Sequence, residues 1–154
     1  MSRKTLASGR PANLPTSRKP KEKSEHNHQA IVVSWCSLAF PDVLVFAVPN
    51  GARRSVWEQR QAKAEGLESG VPDLYVEEAR GGWFGLRIEM KRTSQRRAIN
   101  GGLSDDQLRV RAQLLRKGYR CVTCYSSEEA IEAISWYLSL PPTTSPTLPQ
   151  PRTT

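Results

Sequence analysis

Asp73, Glu89 and Lys91 have the types and spacing to handle a charged, metal-bound substrate. Asp73 lies in Val71-Pro72-Asp73-Leu74, and Glu89 and Lys91 lie in Ile88-Glu89-Met90-Lys91. Two apolar runs, Leu74–Val76 and Trp83–Leu86, separate them on either side of Arg80-Gly81-Gly82. Such runs about a Gly pair predict a β-hairpin. Centred on Gly81, the hairpin pairs Asp73 with Glu89, because 73 + 89 = 2 × 81. Cβ atoms of directly opposed residues sit roughly 4.5–5.5 Å apart, and like charges there repel. Two opposed carboxylates therefore call for a cation between them. Lys91, two residues past Glu89, points to the same face. Two carboxylates and a lysine on one sheet face suit Mg²⁺, which takes oxygen ligands and keeps several waters. Such an ion polarises a phosphoryl oxygen and activates water. Lys91 would orient that water or offset charge growing on the phosphate. The backbone carbonyl of Met90 is the expected further ligand.

The register predicts two faces. Asp73, Tyr75, Glu77, Arg87, Glu89 and Lys91 share one. Leu74, Val76, Phe84, Leu86, Ile88 and Met90 share the other. That partition fits a sheet with one buried face.

The surrounding elements read as α-β-α-β-β-α-β-α. Ser24 is an N-cap candidate for a helix running to about Leu38, with Glu25, His28, Gln29 and Val32 along one stripe. Val43–Val48 predicts a strand, Pro49-Asn50-Gly51 a turn, and Ser55–Glu58 a capping box opening a short helix to Gly66. Beyond Lys91, a basic loop carries Arg92, Arg96 and Arg97 to Gly101-Gly102. Ser104–Gln107 is another capping box, opening a helix closed by Gly118 at C′. Tyr119–Tyr125 predicts a strand. Ser126–Glu129 opens a last helix with Ala130, Ile131, Ile134 and Leu138 on its apolar stripe. The strand ending at Lys91, the helix from Ser104 and the strand Tyr119–Tyr125 make a βαβ unit with parallel strands. The whole predicts an α/β sandwich around a mixed sheet.

The chain has 154 residues and net charge +8. Residues 1–23 contribute 7 − 1 = +6 and residues 24–154 contribute 16 − 14 = +2. A basic, aromatic-free tail (1–23) therefore precedes a nearly neutral domain (24–140). A Pro/Thr-rich tail (141–154) follows, and both tails are expected to be disordered. The basic arm suits either non-specific nucleic-acid contact or a solubilising leader. No apolar run approaches a membrane span. Cys36, Cys121 and Cys124 form no disulfide framework, and an intracellular, cytoplasmic setting fits. Cys121 and Cys124 are three apart on a strand, so their thiols diverge and do not form a metal or redox pair. His26 and His28 are expected to be exposed on a polar helix end, and Trp57 and Trp83 to be packing anchors.

Pro72-Asp73 followed by Glu89-x-Lys91 resembles the PD-(D/E)xK nuclease motif. Glu25 and Gln29, Pro49-Asn50-Gly51, Gly70–Leu74, and Leu103-Ser104-x-x-Gln107 before Gly118-Tyr119 extend the likeness. In order, they resemble the VRR-NUC family over residues 24–138. The resemblance implies a restriction-endonuclease-like fold and Mg²⁺- or Mn²⁺-dependent hydrolysis of DNA phosphodiesters. It implies that Glu25 joins Asp73 and Glu89 as metal ligands and that Gln107 supports the site. It also implies homodimers and branched DNA substrates, as small standalone members show. Arg53, Arg54, Arg92, Arg96 and Arg97 would then contact phosphates. The link from Arg92 to Gly102 is longer and more basic than the family pattern, which bears on substrate choice. A non-catalytic nucleic-acid-binding module on the same fold is the alternative, and a structural domain with incidental charges a third reading.

Overall fold

The computed structural model describes residues 25–48, 57, 60–61, 64–66 and 68–144, with Glu25 described in its backbone only. Helix α1 (Glu25–Ala39) leads to strand β1 (Val45–Ala47), then β2 (Leu74–Val76) and β3 (Leu86–Met90). Two 3-10 turns, Thr93–Gln95 and Ile99–Gly102, precede helix α2 (Asp105–Arg116), strand β4 (Arg120–Cys124) and helix α3 (Ser127–Ser139). The four strands form one mixed sheet in the order β1-β2-β3-β4. β1, β2 and β3 pair antiparallel, and β3 pairs β4 in parallel. The fold is α/β, as the alternation of elements predicts. Ser24, the Pro49-Asn50-Gly51 turn and the Ser55–Glu58 capping box lie outside the described residues, apart from Trp57. Trp57, Arg60, Gln61 and Ala64 are helical, in keeping with a short helix there.

The hairpin register is the expected one: Leu74 pairs with Ile88, Tyr75 with Arg87 and Val76 with Leu86. The turn beneath it differs from a symmetric loop. Arg80 and Trp83 exchange backbone bonds of 3.0 and 2.9 Å around Gly81 and Gly82. Both glycines have positive φ, +57° and +86°, as a two-residue hairpin turn requires. Pairing 80 with 83 and 76 with 86 leaves one extra residue in the first arm. That bulge restores the register centred on Gly81. The hairpin end is also held by the C-terminal segment. Gly81 N–H donates to Pro141 O at 2.8 Å and Thr143 N–H to Ala79 O at 2.9 Å. The Pro/Thr-rich stretch is therefore docked through Thr143, rather than disordered from Pro141.

Strand β1 is shorter than expected from Val43–Val48. Pro41-Asp42 forms a turn in which Val43 N–H bonds back to Phe40 O, so the chain extends only after Leu44.

The apolar face of the sheet carries the core. Leu74, Val76, Leu86, Ile88, Met90 and Cys124 pack against Val32 and Cys36 of α1 and against Ala130, Ile134, Tyr137 and Leu138 of α3. Phe84, assigned to this face, is instead 57% exposed. It lies past the strand end, where its backbone bonds to Gly118. The opposite face is not open to solvent, as a single buried face would require. Asp73, Arg87, Glu89 and Lys91 are all buried, and α2 reaches this face through Gln107, which bonds Glu89, and Arg111, which bonds β4. Arg87 explains how so polar a face is covered. Its guanidinium sits 4.3 Å from the ring centres of both Tyr75 and Tyr119 and 2.8 Å from Glu77 Oε1. A planar cation between two rings buries its faces while its edges donate.

Candidate metal and phosphate site

The site lies where β2 begins and β3 ends. Because Leu74 faces Ile88, the next position along brings Asp73 beside Glu89. Asp73 Oδ2 accepts the Met90 N–H at 2.8 Å, so the side chain closes the ladder where β2 runs out. The residue opposite Met90 in this register is Pro72, which has no N–H to give the Met90 carbonyl. Lys91 N–H donates to Cys124 O at 2.9 Å, which fixes its backbone to β4. Its Nζ lies 3.0 Å from Glu89 Oε1. Gln107 Nε2 donates to that same oxygen.

Gln107 does two tasks with one amide. Ser104 and Gln107 form the expected capping box at the start of α2, with Ser104 N–H donating to Gln107 Oε1 at 2.9 Å. The oxygen of the amide caps the helix and its nitrogen reaches Glu89. Gly70 lets the helix come this close. Its φ is +83°, and a Cβ there would meet Asp106 O at 2.5 Å and Gln107 N at 2.7 Å. The Gly70-Val71-Pro72-Asp73 segment is thus packed directly on the N-terminus of α2.

Arg111, not singled out by its sequence context, belongs to the wall of this site. It lies one helical turn after Gln107, a spacing that puts both on one face of α2. Its Nη1 donates to Thr123 Oγ1 at 2.9 Å and its Nη2 to Cys121 O at 3.3 Å. Glu89, Gln107, Arg111, Leu103 and Cys121 line a small cavity together with Pro72. Cys121 faces this cavity and Cys124 faces the core, so the two thiols diverge as expected. Burial raises the Cys121 thiol above its ordinary pKa and pushes those of Cys36 and Cys124 up to about 11 and about 12. Neutral thiols are poor metal ligands, so the donors here that could take a hard cation are the carboxylate oxygens of Asp73 and Glu89.

The other predicted site residues separate into groups. Glu25 opens α1, and its side chain lies outside the described residues, as do Arg53 and Arg54. Among the described residues no cluster of three His, Cys, Asp or Glu side chains forms. Arg92 and Arg97 are exposed. Arg96 pairs with Glu129 and lies 4.4 Å over the Tyr125 ring, which ties the Arg92–Gly102 link to α3. His28 is buried, contrary to expectation. Its Nδ1 accepts Ser127 N–H at 3.0 Å and lies 3.2 Å from Ser127 Oγ, so it joins α1 to the first turn of α3. Trp57 is 70% exposed, whereas Trp83 packs against the core as an anchor.

Comparison with known proteins bears on the family and the fold. The sequence model of the VRR-NUC domain matches residues 14–128, about three quarters of the chain. The chain belongs to the VRR-NUC family. A solved structure titled "VRR_NUC domain protein" superposes with a TM-score of 0.64 at 25% identity, covering 79% of this chain and 93% of that one. Among curated proteins, none matches the sequence. The sheet and its flanking helices are therefore a restriction-endonuclease-like α/β domain of a nuclease-related family. No helix among the described residues is long and apolar enough to cross a membrane.

Proposed function

We propose that this VRR-NUC domain is a Mg²⁺- or Mn²⁺-dependent endonuclease that hydrolyses DNA phosphodiesters, with branched DNA as the favoured substrate. The observation that supports this most is the convergence of Asp73, Glu89, Lys91 and Gln107 on one buried sheet end. The oxygen donors fit a hard divalent cation. Asp73, Glu89 and the Met90 carbonyl would hold it, with Glu25 as a further ligand by family likeness. When bound, such an ion supplies Lewis acidity and a water of lowered pKa.

The chain's own residues do the positioning. Glu89 is held from one side by Lys91 and from another by Gln107, so its carboxylate cannot swing away. Asp73 is fixed by the Met90 amide. Lys91 Nζ, 3.0 Å from Glu89, is placed to donate to an attacking water or to a phosphate oxygen that gains charge. Arg111 braces β4 behind this group. Exposed Arg92 and Arg97 reach the DNA backbone, together with Arg53 and Arg54 and, through the part of its guanidinium not bound by Glu129, Arg96.

The test is cleavage of linear, nicked, flapped and four-way DNA with Mg²⁺, Mn²⁺ or EDTA, beside Lys91→Ala. The proposal expects metal-dependent cutting that the substitution abolishes. Salt-sensitive binding without cutting would favour a non-catalytic module instead, and neither activity would sink both.

A further inference from the structure

The Arg92–Gly102 link is built rather than slack. It begins directly after Lys91 and ends at Leu103, which lines the cavity with Glu89 and Gln107. Tyr125 anchors it at both ends. Thr93 Oγ1 donates to Tyr125 O at 3.0 Å, and Tyr125 Oη donates to Gly101 O at 3.0 Å. Arg96 clamps the middle through Glu129 and the Tyr125 ring. Asn100 and Gly101 adopt positive φ, +56° and +65°, which folds the tip tightly between these anchors.

At that tip stands Ile99, 88% exposed. Its neighbours Arg97, Ala98 and Asn100 are exposed as well. A lone exposed apolar residue on a surface is ordinary. This one is carried on an anchored loop, next to basic side chains, beside a site proposed to cut DNA. Ile99 is four positions before Leu103, a span of at most about 14 Å. DNA rises about 3.4 Å per base pair along its axis, so Ile99 lies within about four base steps' length of Leu103 in the wall of that cavity.

We infer that Ile99 is an apolar wedge that inserts between bases at a branch point, with Arg92 and Arg97 holding the flanking phosphates. This rests on the proposed nuclease reading and names the feature that selects branched over continuous DNA. Wedges of Ile, Leu, Phe or Met that part a base step are a known device of DNA-bending proteins. Unstacking costs least where bases are already unpaired, as at a fork or flap. The loop's anchoring supplies the rigidity that insertion needs, because a loose apolar tip would fold away rather than part a stack.

The test uses the full chain with a flap carrying 2-aminopurine at the junction, in EDTA so that nothing is cut. Wild type brightens the probe on binding. Ile99→Ala and Ile99→Ser lose most of the increase, and Ile99→Leu retains it. With metal, the ratio of flap to duplex cleavage falls roughly tenfold in Ile99→Ala, about one decade of differential binding. Duplex cleavage itself stays unchanged. Tyr125→Phe, which removes the bond to Gly101 O, weakens the fluorescence response while leaving Ile99 present. Equal fluorescence and equal cleavage ratios in wild type and Ile99→Ala would overturn the wedge. So would an effect of Ile99→Ala confined to monomer–dimer mass in sedimentation. A wild type that cuts no DNA but still brightens the probe would refute the nuclease reading and leave the wedge standing.

Discussion

Gly70→Ala should damage catalysis far more than it damages the fold. The new Cβ would lie 2.5 Å from Asp106 O and 2.7 Å from Gln107 N, both backbone atoms. Asp106 C would be nearer still, at 2.4 Å, so restoring an ordinary 3.4 Å contact requires about 1.0 Å of separation between this loop and the start of α2. Either partner can give way, and each carries part of the site: the loop runs into Asp73 and the helix carries Gln107. Whichever yields, the Gln107–Glu89 bond and the Asp73–Met90 bond cannot both survive. A misplacement of about 1 Å at a reacting centre costs on the order of 10²-fold. We therefore expect kcat on a flap substrate to fall about a hundredfold, with KM changed little. Gly66→Ala is the matched control. Its φ is also strongly positive, +93°, but among the described residues nothing lies within 4 Å of the added Cβ. It carries only the left-handed backbone cost of about 1–2 kcal/mol. That lowers Tm by about 2–4 °C per kcal/mol for a chain of this size and leaves kcat unchanged. Single-turnover cleavage and thermal melting on the same preparations make the comparison. A Gly70→Ala protein with kcat within twofold of Gly66→Ala would refute the coupling of this loop to α2.

Gln107→Glu separates the two tasks of that side chain. Glu at N3 still completes the capping box, but sets a second carboxylate against Glu89, so Tm should move by less than about 3 °C while cleavage is lost; retained cleavage would show that the amide contact is incidental. Arg87→Met removes a buried cation from between Tyr75 and Tyr119 and leaves Glu77 unpaired, at a cost of about 2–3 kcal/mol. Urea melts read that loss directly, and a change under about 0.5 kcal/mol would mean the stack contributes nothing. Burial pushes the thiols of Cys36 and Cys124 up from the ordinary 9.0 to about 11 and about 12. The native state thus holds their protons more tightly, and their contribution to stability is lost as pH rises from about 9 towards 12. The urea midpoint should fall over that window in wild type and less in a Cys36→Ala/Cys124→Ala double variant, with parallel falls counting against the assignment.

Much of the site was legible because alternation and register are linked. Once Leu74, Val76, Leu86, Ile88 and Met90 must share a face, the placement of Asp73 beside Glu89 follows, and a bulge near Ala79 leaves that pairing intact. The parallel β3–β4 pairing and the divergence of Cys121 from Cys124 follow from the same period of two. Other features depend on contacts far apart in sequence. Arg87 reads as solvated until Tyr75 and Tyr119 are seen on either side of it. His28 reads as exposed until Ser127, 99 residues away, is seen to donate to it. Arg111 carries no motif, only a helical spacing from Gln107. The capping role of Gln107 was plain from Ser104-x-x-Gln107, but a cap alone gives no sign that the amide nitrogen also reaches Glu89. The clamp on the Arg92–Gly102 link depends on Tyr125 and Glu129, which no local pattern connects to it.

In the function proposed above, Asp73 and Glu89 hold a divalent cation that Lys91 serves without binding. Calorimetric titration of Mn²⁺ into wild type, Glu89→Gln and Lys91→Ala, with flap cleavage measured on the same samples, tests it most directly. Binding and cleavage are expected in wild type, loss of both in Glu89→Gln, and binding retained with cleavage lost in Lys91→Ala. Undiminished Mn²⁺ binding by Glu89→Gln, or cleavage by wild type in excess EDTA, would contradict it.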